Sequence, residues 1–376
     1  MKKNYISALA VLACVAVFCT ISGNSFHQMR IATEEIIPGE GVTEVRMLSD
    51  YFPDLAGTAG DTQIYVLQGE QEGGSCLILG GTHANELGGH MGAVLFVENA
   101  KVEAGTLYVI PRTNNSAFTH NDPQEGHPST VHITTDEGNV REFIHGSRAT
   151  NPVDQWPDPD VYVNYMGQSL SGSENRNINR TYPGKADGTL TEMMSYGIVQ
   201  LINTENIDVT VDLHEASPEY PVINALIAHE RAMNLASNVV VDMQMEGVQI
   251  SLEPSPTDLR GLTHRELGDH TDTLALLMEA PNPAQGRLRD RTDEALVLTG
   301  KSETYVKAGE IGQLYVPYDE NGWPIEVRCA RHVFGIERIL ANYSEMYEEP
   351  IIVTGMPSYD ELVKNGMGPY LNEPTT

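Results

Sequence analysis

Apolar residues in this chain gather into short runs of strand length, separated by longer segments of helical character. After a polar stretch to about Gly41, Thr62 to Leu67 has the β-branched and aromatic content of a strand, and Gly69 to Gly74 predicts a turn. Cys76 to Leu79 is a second, wholly apolar strand, broken by Gly80-Gly81, and Leu87 to Val97 is apolar enough to be a helix packed on a sheet. Thr106 to Ile110 predicts another strand. From Pro111 to Lys185 the chain is rich in Asn, Pro, Gly, Ser and Asp without periodicity, which predicts a long loop region that forms a site. Thr189-Leu190-Thr191-Glu192 is a capping box that opens a helix through about Ile202. Strands are expected at Asp208 to Leu213 and Val222 to Ala228, a helix from Glu230 to about Met243, and a strand at Leu274 to Glu279 stopped by Pro281. Strands alternating with helices predict an α/β fold, with a mixed, mostly parallel central sheet and helices on both faces.

The N-terminus departs from that pattern. Met1-Lys2-Lys3-Asn4-Tyr5 precedes Ile6 to Ile21, a run without charge that ends in the polar Ser22-Gly23-Asn24-Ser25. Residues 1–25 therefore predict an export signal or N-terminal anchor. The run falls short of the ~20 residues of a membrane span, which favours a cleaved signal, and the expected location is periplasmic or extracellular. A lipoprotein reading through Cys14 is the weaker one, because the apolar run continues to Phe18. With 376 residues and 40% hydrophobic content, the remainder can bury a substantial core. One domain is expected over 45–345, with a loosely held acidic tail over 346–376. The 52 acidic against 23 basic residues give a net charge of -29, which opposes nucleic acid and anionic lipid as partners. Against that field a substrate carboxylate must be drawn in by local arginines. Cys14 and Cys19 lie in the signal; Cys76 and Cys329 allow one disulfide after export, although Cys76 at the head of an apolar run reads better as a small buried residue.

Chemistry concentrates where the predicted strands end. His83 and Glu86, three residues apart after Gly80-Gly81, can offer two metal ligands from one turn. A bare His-x-x-Glu is common by chance, but His214 ends the apolar run from Val209, and Glu279 ends another. Active sites in α/β sheets gather at such carboxyl ends. Two imidazoles and a carboxylate leave one position open on a hydrolytic zinc ion.

Four segments then resemble the zinc carboxypeptidase superfamily, in particular its branch of succinylglutamate desuccinylase and aspartoacylase-like deacylases. Leu79-Gly80-Gly81-Thr82-His83-Ala84-Asn85-Glu86 is similar to its glycine-flanked zinc motif. Ile110 to Phe118 is similar to its Pro-x-x-Asn-Pro-x-Gly-Phe segment, with Asn115 and Ala117 departing from it. Asn177-Ile178-Asn179-Arg180 resembles the Asn-Arg pair that binds a substrate carboxylate, and Asp212-Leu213-His214-Glu215 the segment of the third ligand. The resemblance implies a zinc-carboxypeptidase-like fold holding one Zn2+ through His83, Glu86 and His214. It implies Glu279 as the proton shuttle, and Asn179 with Arg180 as the clamp on a small carboxylate substrate or a peptide C-terminus. An arginine for the oxyanion is implied too. Arg112, Arg141, Arg148 and Arg176 are candidates, and Arg176 is preferred because it shares a segment with Arg180; pairing with Glu174 is its alternative.

Other residues keep two readings. His264 and His270 either line the pocket or are structural, and the structural reading is favoured. His90 is expected to pack against the sheet, Asp212 to support a ligand, and Glu215 either to orient His214 or to be a solvated charge. Pancreatic-type carboxypeptidases place a tyrosine before the catalytic glutamate, and none occurs between Gly247 and Glu279. That favours an N-acyl amino acid deacylase over a carboxypeptidase acting on peptides or cell-wall peptides. A secreted carboxylate-binding module without turnover is the alternative of another class.

Overall fold

The computed structural model describes residues 2–121 and 127–374; of the expected loop region, 122–126 lie outside it. The strands in chain order are β1 (Glu44–Met47), β2 (Gln63–Gln68), β3 (Gln71–Leu79), β4 (Lys101–Ile110), β5 (Thr130–Thr134), β6 (Val140–Ile144), β7 (Val161–Val163), β8 (Ser169–Ser171), β9 (Val209–Ala216), β10 (Ala225–Ala228), β11 (Ser251–Pro254), β12 (Leu274–Pro281) and β13 (Ile352–Thr354). The α-helices are α1 (Lys2–Ile31), α2 (Leu87–Asn99), α3 (Leu190–Glu205), α4 (Met233–Met245), α5 (Thr263–His270), α6 (Glu294–Thr299), α7 (Glu303–Glu310), α8 (Ile325–Tyr347) and α9 (Tyr359–Asn365).

A nine-stranded sheet runs in the order β1-β2-β4-β3-β9-β12-β10-β11, with β13 on β4. Its middle strands β4, β3, β9 and β12 are parallel, and antiparallel pairings flank them. The mixed α/β sheet expected from the alternation of strands and helices is thus present. Strand alternation divides the core. Cys76, Ile78, Val209, Val211, Leu213, Leu276 and Met278 pack under α2, α4 and α8. Leu77, Leu79 and Ala275 turn to the opposite face with α3 and Leu267 of α5. Side chains two apart share a face, so Asp212, His214 and Glu279 lie on this second side of the sheet.

Several expectations are corrected. The turn proposed for Gly69 to Gly74 is largely strand: β3 starts at Gln71 and joins β4 through a register shift, because backbone pairing with the C-terminal segment, including Gly74 N to Pro350 O at 3.2 Å, extends it. The region from Pro111 to Lys185 is not structureless, since it folds the hairpins β5-β6 and β7-β8 and three 3-10 turns. The capping box at Thr189 forms as expected, its hydroxyl accepting from Glu192 N. The helix does not stop at Ser22 to Ser25: α1 continues to Ile31, exposed from Asn4 to Gln28 and apolar and long enough to cross a membrane, as a signal sequence or an anchor does. Folded structure begins before residue 45. Arg30 pairs with Asp154 at 2.6 Å, and Glu34 is buried with its Oε1 3.0 Å from His90 Nε2.

The tail expected to be loose is packed. β13 pairs with β4, while Leu362, Met367 and Leu371 are buried in the main core. Asn372 N donates to Glu98 Oε2, part of a buried pair with Arg141 at 2.7 Å. Composition misled here, because acidic residues of an amphipathic helix coexist with a buried stripe. Leu362→Asp is expected to cost about 3 kcal/mol by burying an unpaired charge. A urea midpoint equal to that of the parent chain would show that the tail lies outside the cooperative unit.

Candidate active site

The cluster is built by the turn that follows β3. Gly81 holds a positive φ of 60°, and a Cβ there would stand 2.5 Å from the Pro111 carbonyl oxygen, so the chain folds back under a strand end that only glycine fits. His83 and Glu86 follow, and Glu86 is the N-cap residue of α2 without making a side-chain cap. Its carboxylate instead faces the two imidazoles, at the positive end of the helix dipole. From the sheet, β9 supplies Asp212 and His214, and β12 sets Glu279 opposite His214 in parallel register.

His83 Nδ1 lies 2.8 Å from Glu86 Oε1, and His214 Nδ1 lies 3.0 Å from Glu86 Oε2. The rings stand at 78° with centroids 4.7 Å apart. Both Nε2 atoms are already engaged by acceptors: that of His83 with Asn177 Oδ1 at 3.0 Å, that of His214 with Asp212 Oδ2 at 2.7 Å. Asp212 is itself fixed by the Thr82 hydroxyl at 2.7 Å. Donating Nε2–H leaves each Nδ1 with a lone pair aimed at a carboxylate, an acceptor facing acceptors unless a proton or a cation lies between. Burial drives His83 down to about 4, and Arg148 adds to it. Burial also works against charge on His214, but Asp212 and Glu86 outweigh it and hold that imidazole well above its usual value. Glu86 stays far below the usual carboxylate range despite its burial, because of the two imidazoles. Three buried ligand atoms within 4.8 Å of one another, each imidazole oriented by an outer acceptor, fit a metal ion.

Around this group the expected residues divide. Glu279 lines the same cavity, its Oε2 is buried without a hydrogen-bond partner, and burial pushes its carboxyl up to about 8. Asn179 and Arg180 also line the cavity. The Asn179 Oδ1 accepts from Thr263 N at 2.8 Å and from Thr263 Oγ1 at 3.0 Å, so its amide nitrogen is the end left for a ligand. Arg180 Nη1 donates to Asn179 O at 2.6 Å, and its Nε is 3.7 Å from Glu174.

Arg176 is corrected. It grips Asp158 with Nε at 2.7 Å and Nη2 at 3.0 Å, and donates to Thr150 O, a loop-fixing role outside the cavity. Arg148, another of the candidates, is the one beside the cluster: Nη1 is 3.2 Å from Glu86 Oε1 and 3.4 Å from His83 Nδ1, on a side chain 42% exposed. Arg141 is tied to Glu98, and Arg112 lies over the Phe118 ring, 4.6 Å from its centroid. Asn177, which orients His83 across 94 positions of sequence, had no legible role although it stands in the quoted Asn-Arg segment.

His264 does line the cavity, against the structural reading, with Nδ1 2.7 Å from Ser255 Oγ and its pKa lowered to about 3 by burial. His270 does not; it pairs with Glu266 at 3.2 Å. Glu215 is not solvated but buried against Arg328 at 2.9 Å, and its backbone N–H donates to Glu86 Oε2 at 2.9 Å. Cys76 and Cys329 are both buried and unbridged. The cavity, of about 390 Å3, also receives Tyr220 from the loop after β9, a tyrosine in another place than the one sought before Glu279.

No family model matches the chain, and no curated protein sequence matches it either. Solved structures do. A succinylglutamate desuccinylase from Silicibacter sp. is 15% identical over 76% of this chain and 61% of that one, with a TM-score of 0.42. A succinylglutamate desuccinylase/aspartoacylase from Rhodobacter sphaeroides is 14% identical over 76% and 59%, at 0.40. A metallo-carboxypeptidase from Burkholderia cenocepacia is 11% identical over 85% and 68%, at 0.46. The chain thus spans about three fifths of the length of the first two.

Proposed function

We propose that this chain is a zinc-dependent hydrolase that cleaves an amide bond next to a free carboxylate, acting on an N-acyl amino acid, with the C-terminal end of a peptide as the second reading. The observation that carries it is the half-buried Glu279, whose Oε2 is buried without a hydrogen-bond partner, beside the His83, Glu86 and His214 group and in one cavity with Arg148 and Arg180. His83, Glu86 and His214 would hold the zinc, which when bound would supply Lewis acidity to a carbonyl and to water at neutral pH. The roles of the chain's own residues follow from their surroundings. Arg180 and the Asn179 amide hold the substrate carboxylate, the guanidinium by paired hydrogen bonds. Arg148, next to the cluster and half open to the cavity, stabilises negative charge developing on the carbonyl oxygen. Glu279 takes the proton from the attacking water and delivers it to the leaving amine. Burial favours its neutral form, and positive charge in the site favours the ionised form that can act as a base.

The partner is a small carboxylate-bearing molecule and not nucleic acid, as the charge of -29 supports. The apolar α1 supports a place outside the cytoplasm, exported or held at the membrane. The test is metal analysis of the purified chain, followed by a hydrolysis screen of N-acyl amino acids and short peptides against their C-terminal amides. Zinc at one ion per chain with turnover of the free acids is expected. Arg180→Ala should raise KM at least about tenfold for the acids and leave the amides little changed. Equal effects on both would contradict the clamp, and zinc binding without turnover across the panel would leave a binding module.

A further inference from the structure

One side of the cavity is not used by the reaction. Ile227 of β10 pairs with Leu277 of β12 and, across the strand, with Glu253 of β11; Ala225 pairs with Glu279. Residues in register share a sheet face, so Glu279, Leu277, Ile227 and Glu253 stand on the same one. Leu277, Ile227 and Glu253 all line the cavity. A floor therefore leads away from Glu279, over two aliphatic side chains, to a second carboxylate on β11, two strand spacings or about 10 Å across the sheet from Leu277. Leu259, Leu262 and Val222 add to the apolar lining.

Glu253 is half-buried, and its side chain makes no hydrogen bond or ion pair among the described residues. Burying a carboxylate even partly is costly without a counter-charge. The cationic side chains lining the cavity are Arg148 and Arg180, and Arg148 is engaged with Glu86 and His83. A counter-charge for Glu253 would therefore come from a ligand. An aliphatic stem ending in an ammonium group matches a greasy floor with an acidic end, since the stem buries apolar surface while the charged tip meets its partner.

We propose that this floor is the side-chain subsite, and that Glu253 selects substrates whose carboxylate-bearing residue has a long aliphatic side chain tipped by an amine. The proposal rests on the hydrolase reading for its orientation: with the substrate carboxylate at Arg180 and the amide beside Glu279, the floor is the apolar route left for the side chain. The prominent acidity of the molecule adds a field that draws such cations in.

The experiment compares N-acetyl-lysine, N-acetyl-norleucine and N-acetyl-glutamate on the zinc-loaded full chain. Norleucine keeps the aliphatic stem and lacks the amine. The parent chain is expected to favour lysine over norleucine at least about tenfold in kcat/KM. Glu253→Gln should bring the two within twofold through a higher KM for lysine, with norleucine unchanged, and Glu253→Lys should turn the preference towards glutamate. Turnover of norleucine together with a lysine ratio unaffected by Glu253→Gln would overturn the subsite and leave the hydrolase reading intact. If no compound is turned over, equilibrium binding of the lysine and norleucine pair reads the subsite alone. A tenfold preference abolished by Glu253→Gln then sustains it while the hydrolase reading falls, and equal binding overturns it.

Discussion

Glu279→Gln is expected to bind zinc as the parent chain does and to lose at least about a thousandfold in kcat. The substitution preserves shape and removes the ability to accept a proton, so whatever it costs is charged to proton transfer. General base and acid work by a positioned side chain contributes about 10² to 10⁴. The upper part of that range is expected because in the proposed reaction one group serves both half-steps, taking the proton from water and giving it to the amine. Metal should be retained because the three clustered ligand atoms come from His83, Glu86 and His214 and not from Glu279. The pH profile gives a second readout. Burial raises the Glu279 carboxyl to about 8, with His214 pulling it back down, so the base form accumulates as pH rises. The parent chain should lose kcat/KM on the acidic side as this carboxylate is protonated, and the residual rate of the variant should lack that limb. Measurement of kcat/KM against pH, normalised to zinc per chain, decides it. Full activity in Glu279→Gln would place the base elsewhere in the cavity.

The parts of this site legible in the sequence are those fixed by short-range pattern. An apolar run that stops at a polar residue marks a strand end, and in a sheet with parallel middle strands these ends converge; that is why His83, His214 and Glu279 meet although 131 and 65 residues separate them in sequence. Asp212 was legible for the same reason, being two residues from His214 and so on its face. Arg148 was not. It comes from a segment whose path is set by β5-β6 and by Ser147 and Ala84 meeting backbone to backbone, and no periodicity encodes such contacts. Arg176, closer in sequence to Arg180, is consumed by Asp158, a partner 18 positions upstream. Proximity along a loop carries little information about proximity in space. The acidic tail failed differently: its charges were read, while the buried side of α9 was not, because a helix of 7 residues offers too few turns for a pattern.

His83→Ala should lower zinc affinity at least about a hundredfold and leave the purified chain with little metal. Supporting residues beyond the ligands are themselves worth about 10 to 100-fold in metal sites, and a direct ligand is worth more. The loss is local in cause. Removing this imidazole takes away one of the lone pairs aimed at Glu86 and leaves Asn177 Oδ1 accepting from Asn179 N, while His214 remains held between Asp212 and Glu86. A carboxylate and one imidazole then remain, too few for tight binding in competition with water. Stability supplies the independent check. A ligand that binds the native state stabilises it by RT ln(1 + [L]/Kd), about 2.7 kcal/mol at a hundredfold excess over Kd. The parent chain should therefore melt several degrees higher with zinc than with a chelator, and His83→Ala should melt at one temperature in both. Asp212→Asn should fall between them. It keeps all three ligands but weakens the acceptor that orients His214, so zinc still binds, at about a tenfold cost. Full zinc occupancy in His83→Ala, with a melting shift equal to that of the parent, would mean that the ion is held by other residues.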